Sequence, residues 1–174
     1  MRPMKWFDRR FTFDQPVGIF PGVLERLRGT PARLEERVEG ASPEVLVAHR
    51  EEGAWSIQEH IGHLGDLEEL WGRRLTDLLD GAEVMTEADL TNRRTHEAGH
   101  DEAPLAALLE RFRRERARLV ERLEPLDEDQ VARTSLHPRL REPMRTLDLA
   151  VFVAEHDDHH LAHIGELLRG PERR

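Results

Sequence analysis

The chain has 174 residues, enough for one domain with a proper core, and a formal net charge of −9 with 38% hydrophobic residues. The acidic balance, with no basic cluster interleaved with aromatics, argues against nucleic-acid binding, and no apolar run approaches membrane-spanning length. Ten histidines stand against no cysteine, which removes disulfides, thiolate metal sites and an intrinsic thiol nucleophile, so any metal must be held by nitrogen and oxygen.

The N-terminus lacks the apolar stretch and small-residue cleavage site of a secretory signal, which places the protein in the cytoplasm by expectation. The reading that follows is a single helical domain over residues 1–174, with 1–15 as a docking segment and 16–170 as the bundle. In the docking segment Trp6, Phe7, Phe11 and Phe13 are spaced to lie against the domain. Pro16 to Arg28 forms a helix, which Gly29-Thr30-Pro31 interrupts. Thr30 is then the N-cap of a second piece running from Pro31 to about Val38.

The next element opens at Trp55-Ser56-Ile57-Gln58-Glu59. Ser56 followed three residues later by Glu59 predicts a capping box, and Ile57, Ile61, Leu64, Leu67, Trp71, Leu75 and Leu78 recur at helical steps as far as Asp80-Gly81. His60 lies near the middle of this stripe and His63 at its edge. Periodicity favours His60 as the buried ring and leaves open which of the two is a ligand. Residues 82–100 form a polar connection, long enough to imply a short helix, a lid or a crossover. Within it His96-Glu97-Ala98-Gly99-His100 matches H-E-x-x-H literally, but Arg93, Arg94, Asp101 and Glu102 flank it and Gly99 weakens the turn, so it reads as a solvated segment rather than a zinc site.

A third helix runs from Pro104 to before Pro125, with Leu105, Leu108, Leu109, Phe112, Arg116, Leu119 and Leu123 in step. A short turn at Asp127–Gln130 and a loop over 137–143 precede the last helix. No period-two alternation predicts a strand anywhere. The last helix, Leu147 to Leu168, carries four histidines within eight residues. His156 and His160 stand about 40° apart and one turn apart along the axis, a pitch at which two imidazoles reach a single ion. Leu149, Phe152, Val153, Ile164 and Leu167 share their face, so both rings point inward. His163 continues the stripe, His159 flanks it, and Asp157 and Asp158 point away. Hydrogen-bonded core histidines give the same pattern; a metal would supply partners to two buried rings at once.

The Trp55–Asp66 run, with its W-[ST]-x-x-E and H-L-x-D portions, together with the late H-x-x-x-H, resembles the DinB-like superfamily over about residues 20–169. The resemblance implies an all-α four-helix bundle in an up-down-down-up arrangement, with the long connection between helices 2 and 3. It implies a divalent metal, nickel or zinc foremost, on His63, His156 and His160, and it makes His60 a core residue. Relatives include bacillithiol S-transferases and mycothiol-dependent maleylpyruvate isomerase. The implied function is therefore a metal-dependent enzyme, a low-molecular-weight thiol S-transferase or a hydrolase, with bacillithiol or a similar thiol as co-substrate and a homodimer as assembly. The alternatives are a metal-binding or small-molecule stress-response module without turnover, and a structural dimer with histidines in its core.

Three neutral imidazoles leave a divalent ion its full charge and open positions for water or a small-molecule substrate. No catalytic acid or base is assigned from the sequence. Asp66, Glu59, Glu155 and His163 are candidates for orienting the ligand rings. His137 and Arg139, on the loop entering the last helix, are placed to meet an anionic substrate.

Overall fold

The computed structural model describes residues 3–170, so the first two residues of the expected docking segment and the last four of the chain lie outside it. Four long helices form the body: α1 (Phe20–Val38), α3 (Ile57–Asp80), α5 (Leu105–Leu123) and α7 (Thr146–Leu168). Short helices α2 (Pro43–Leu46), α4 (Arg93–Glu97) and α6 (Glu128–Val131) lie in the connections. Helices α1 and α3 each pack on both α5 and α7, which closes a ring of four around one interior.

Local chemistry sets the ends of α3. Ser56 Oγ accepts the Glu59 N–H at 3.0 Å while Glu59 accepts the Ser56 N–H at 2.8 Å, which completes the capping box. Gly81 closes the helix at φ 75°, where a side chain would be strained. In α7 the start is fixed by Asp148, which accepts the Arg145 N–H at 2.9 Å.

The interior has two apolar lobes. One gathers Phe20, Leu24 and Leu27 of α1, Trp71, Leu75 and Leu78 of α3, Leu119 and Leu123 of α5, and Phe152 and Val153 of α7. The other gathers Leu34, Val38, Ile57, Ile61, Leu64, Phe112, Leu161 and Ile164. Helices α1 and α7 thus pass from the first lobe to the second, and α3 and α5 from the second to the first. Between the lobes every long helix contributes buried polar groups: Thr30, His63, Asp66 and Glu68, Arg116, and His156, Asp157 and His160. This polar layer across the middle of the bundle positions the site.

Three expectations are corrected. Helix α1 is continuous from Phe20 to Val38, with Pro31 inside it and Thr30 not a cap. Thr30 instead donates to Asp157 at 2.9 Å, and burial of Leu27, Leu34 and Val38 on one face outweighs the single backbone donor that proline lacks. Two strands exist, β1 (Thr134–Leu136) and β2 (Pro143–Arg145), antiparallel with Ser135 opposite Met144. Three residues each are too few to show alternation. Asp157 does not point away to solvent; it is fully buried, because α7 is enclosed by helices on both flanks.

Candidate metal centre

Helices α3 and α7 bring His63, His156 and His160 together, with one ring nitrogen of each within 4.8 Å of the others, and all three side chains are buried. The other nitrogens decide which atoms are free. His63 Nδ1 lies 3.0 Å from Thr95 Oγ1, and Thr95 in turn donates to Asp66 at 3.1 Å, so the proton sits on Nδ1 and Nε2 keeps its lone pair. His160 Nδ1 faces His60 Nδ1 at 2.8 Å, and its Nε2 faces His156 Nε2 at 3.2 Å. His156 Nδ1 is buried without a hydrogen-bond partner among the described residues. The three Nε2 atoms therefore converge.

The electrostatics keep these rings uncharged, as ligands must be. Burial, reinforced by the neighbouring histidines, pushes His156 and His160 well below the usual histidine range. Burial also pushes His63 down to about 4, against the pull of the Asp66 carboxylate. Asp66 is itself held down to about 2; burial opposes this, but hydrogen bonds from His100 at 2.8 Å and Arg111 at 2.9 Å prevail. The Nε2 atoms of His156 and His160, 3.2 Å apart, can share one ring proton with both rings neutral, and a cation bound there would take that proton's place. The donor set thus fits a divalent ion of borderline character.

Aromatic side chains wall the site. Trp6 meets the His156 ring edge-on at 4.9 Å between centroids, and Trp55 lies 4.6 Å from His63 and 6.0 Å from His160. The docking segment is held there by Arg9, which pairs with Glu155. The three imidazoles open into a cavity of about 440 Å³, floored by Leu67, Leu70, Trp71 and Phe152 and reaching Arg74, His137 and Arg139.

The remaining expected residues divide. Asp66 does orient His63, through Thr95, a residue of the 82–100 connection that the sequence did not single out. Glu59 caps α3, and Glu155 binds Arg9 and Arg26. His163 stacks on His60 at 5.6 Å. His60 is buried as expected, yet it is more than filler, because it shares a hydrogen bond with His160. The H-E-x-x-H pair is separated by Gly99 at φ 63°: His96 is exposed, while His100 packs over Gly62 and donates to Asp66.

A ring of four helices with a convergent three-imidazole set across its middle defines a helical-bundle protein with a candidate metal centre. The chain belongs to the DinB superfamily, whose sequence pattern matches residues 26–164. Its fold is similar to that of YfiT from Bacillus subtilis, described as a probable metal-dependent hydrolase with an unusual four-helix bundle topology, at 22% identity and a TM-score of 0.80, covering 92% of each chain. It is also similar to the mycothiol-dependent maleylpyruvate isomerase, at 16% identity and a TM-score of 0.68, covering 90% of this chain and 64% of that one. At these identities the likeness is one of fold. Among curated proteins none matches the sequence. No helix among the described residues is long and apolar enough to cross a membrane.

Proposed function

We propose that the protein is a metal-dependent enzyme acting on a small molecule, with its divalent ion, nickel or zinc, held by His63, His156 and His160. The observation that carries this reading is the convergence of three buried, uncharged imidazoles on one side of a cavity of about 440 Å³. When bound, the ion supplies Lewis acidity towards water or a thiol. The description of YfiT supports hydrolysis, and that of the isomerase supports a low-molecular-weight thiol as co-substrate. With no cysteine in the chain, such a thiol comes from solution.

The protein's own groups would do the rest. Thr95 and Asp66 hold the His63 ring, and His60 holds His160, so Nε2 of each faces the cavity. Trp6 and Trp55 wall the cavity beside the imidazoles and would limit the water around them. Metal analysis of the purified protein tests the reading: a stoichiometric divalent ion is expected, lost in His156→Ala. The metal-loaded form should turn over a substrate in panels of esters, amides and thiol–electrophile pairs. No ion in the native protein sinks the proposal; an ion without turnover reduces it to a binding module.

A further inference from the structure

The end of the cavity away from the imidazoles holds positive charge that no ion pair neutralises among the described residues; Asp77 is near enough to favour the charged form of Arg74, but its carboxylate accepts from the Thr86 N–H and hydroxyl. Arg74 is 2% exposed and lines the cavity; its Nε donates to the Thr86 carbonyl at 2.9 Å and its Nη1 lies 3.1 Å from His137 Nε2. No carboxylate pairs with Arg74 or Arg139 among the described residues, and Arg139 Nη2 is buried with no hydrogen-bond partner at all. His137, 1% exposed, adds a second conflict. Its Nδ1 accepts the Leu140 N–H at 3.1 Å while its Nε2 faces Arg74, so both ring nitrogens meet donors although a neutral imidazole has one proton of its own.

A buried guanidinium, Arg74, beside a second, half-buried one, Arg139, is costly without a counter-ion in contact. Burial, and the charge of Arg139 beside it, push Arg74 down to about 10. The groups are nevertheless held in place by aromatic faces: Arg74 lies 5.6 Å from the Trp71 ring centroid and Arg139 lies 5.2 Å from that of Phe7. The acidic side chains at this cavity, Glu87 and Asp89, are exposed on its rim, and Asp89 is turned to Thr91 and the Arg93 backbone. Donors in excess, fixed in position and lacking an acceptor, make a built anion site.

We propose that Arg74, Arg139 and His137 form a subsite for the anionic head group, carboxylate or phosphate, of an elongated small-molecule substrate. Eleven residues separate His63 from Arg74 on α3, about 16 Å between Cα atoms and nearly the same face, and Arg74 leans back towards His63. A molecule anchored by its anion at this end lays its apolar body on Leu67, Leu70, Trp71 and Phe152 and presents its other end to the imidazoles. The substrate class rests on the metal-dependent reading, whereas the anion subsite itself does not need the ion.

All three tryptophans, Trp6, Trp55 and Trp71, line the cavity, so their fluorescence reports its occupancy. Octanoate, octyl phosphate and uncharged octanamide are titrated into the full-length protein, metal-free and metal-loaded. At least one anion should bind at least tenfold more tightly than octanamide in both forms, and the tighter of the two identifies the head group. Arg139→Met, on an exposed-side loop, should erase most of that preference, and Arg74→Lys should reduce it while circular dichroism stays native. Equal binding of octanamide, or an Arg139→Met protein that keeps the full preference, overturns the proposal. Anion binding that appears only with metal bound also overturns it, since the head group would then sit on the ion. Failure of the metal reading shows instead in the metal analysis, with this titration unaffected.

Discussion

His156 and Asp157 are consecutive, both buried, and belong to two different kinds of polar interior. On one side of α7 a set of imidazoles is kept neutral by burial. On the other, Arg116, 1% exposed, binds Asp157 and donates to Glu68 at 2.6 Å, with Thr30 also on Asp157. The ionised side is closed: one guanidinium is shared by two carboxylates, burial pushes Glu68 up towards its neutral form, and one oxygen of Glu68 is left without a partner among the described residues. The imidazole side is open, with nitrogen lone pairs turned into a cavity. The contrast teaches where function resides in this layer. Groups that satisfy each other specify the packing of four helices, and groups left unsatisfied are available to a ligand.

The largest effect should come from breaking the closed side. Arg116→Met leaves Asp157 and Glu68 buried without their cation and should cost about 3–5 kcal/mol in urea unfolding. A loss under about 1 kcal/mol would show that the cluster is not the structural half of the layer. Acid should separate the two sides next. His60 and His63 are held at about 3 and about 4, below the unfolded value, so the unfolded chain takes up protons first. Stability of the metal-free protein is therefore full above pH about 6.5 and falls steadily towards pH 4. Glu68, pushed up by burial, acts in the opposite sense. Thermal unfolding of the metal-free protein between pH 7.5 and 4.5 checks the net direction; a flat profile contradicts it.

On the open side, Thr95→Val removes the acceptor that fixes the His63 proton. Metal affinity, measured by competition with a chelator, should fall about 10–100-fold while the unfolding midpoint stays close to wild type. A large loss of stability with unchanged affinity would place Thr95 among the structural groups instead. The smallest effect is expected at His96. Its replacement by alanine should change stability by less than about 0.5 kcal/mol and leave metal content intact, because the ring is exposed and on another element from His100.

Much of this was legible in the sequence because it rests on local rules. The capping box at Ser56, the stop at Gly81 and the inward pitch of His156 and His160 follow from spacing alone. His96 and His100 have that same spacing, and their flanking charges and Gly99 read as a solvated segment; this fails for His100, which is buried over Gly62 and donates to Asp66. What escaped was set by neighbours distant in sequence. Asp157 was misread because a helical wheel shows one buried face and α7 has two. Thr30 and Pro31 look like a helix start until Asp157 gives the hydroxyl another partner. His60 is the core residue that the resemblance implies, and the pitch of α3 also places it within reach of His160, a contact that spacing within one helix does not show. Arg74 carried a signal that went unused, an arginine in step with Trp71, Leu75 and Leu78 on an otherwise apolar stripe, as Arg116 is on α5.

The docking of Arg9 on Glu155 spans 146 residues of sequence. Trp6 leaves the ribosome long before the histidines it covers exist, so its part of the cavity wall cannot be completed until nearly the whole bundle has been made.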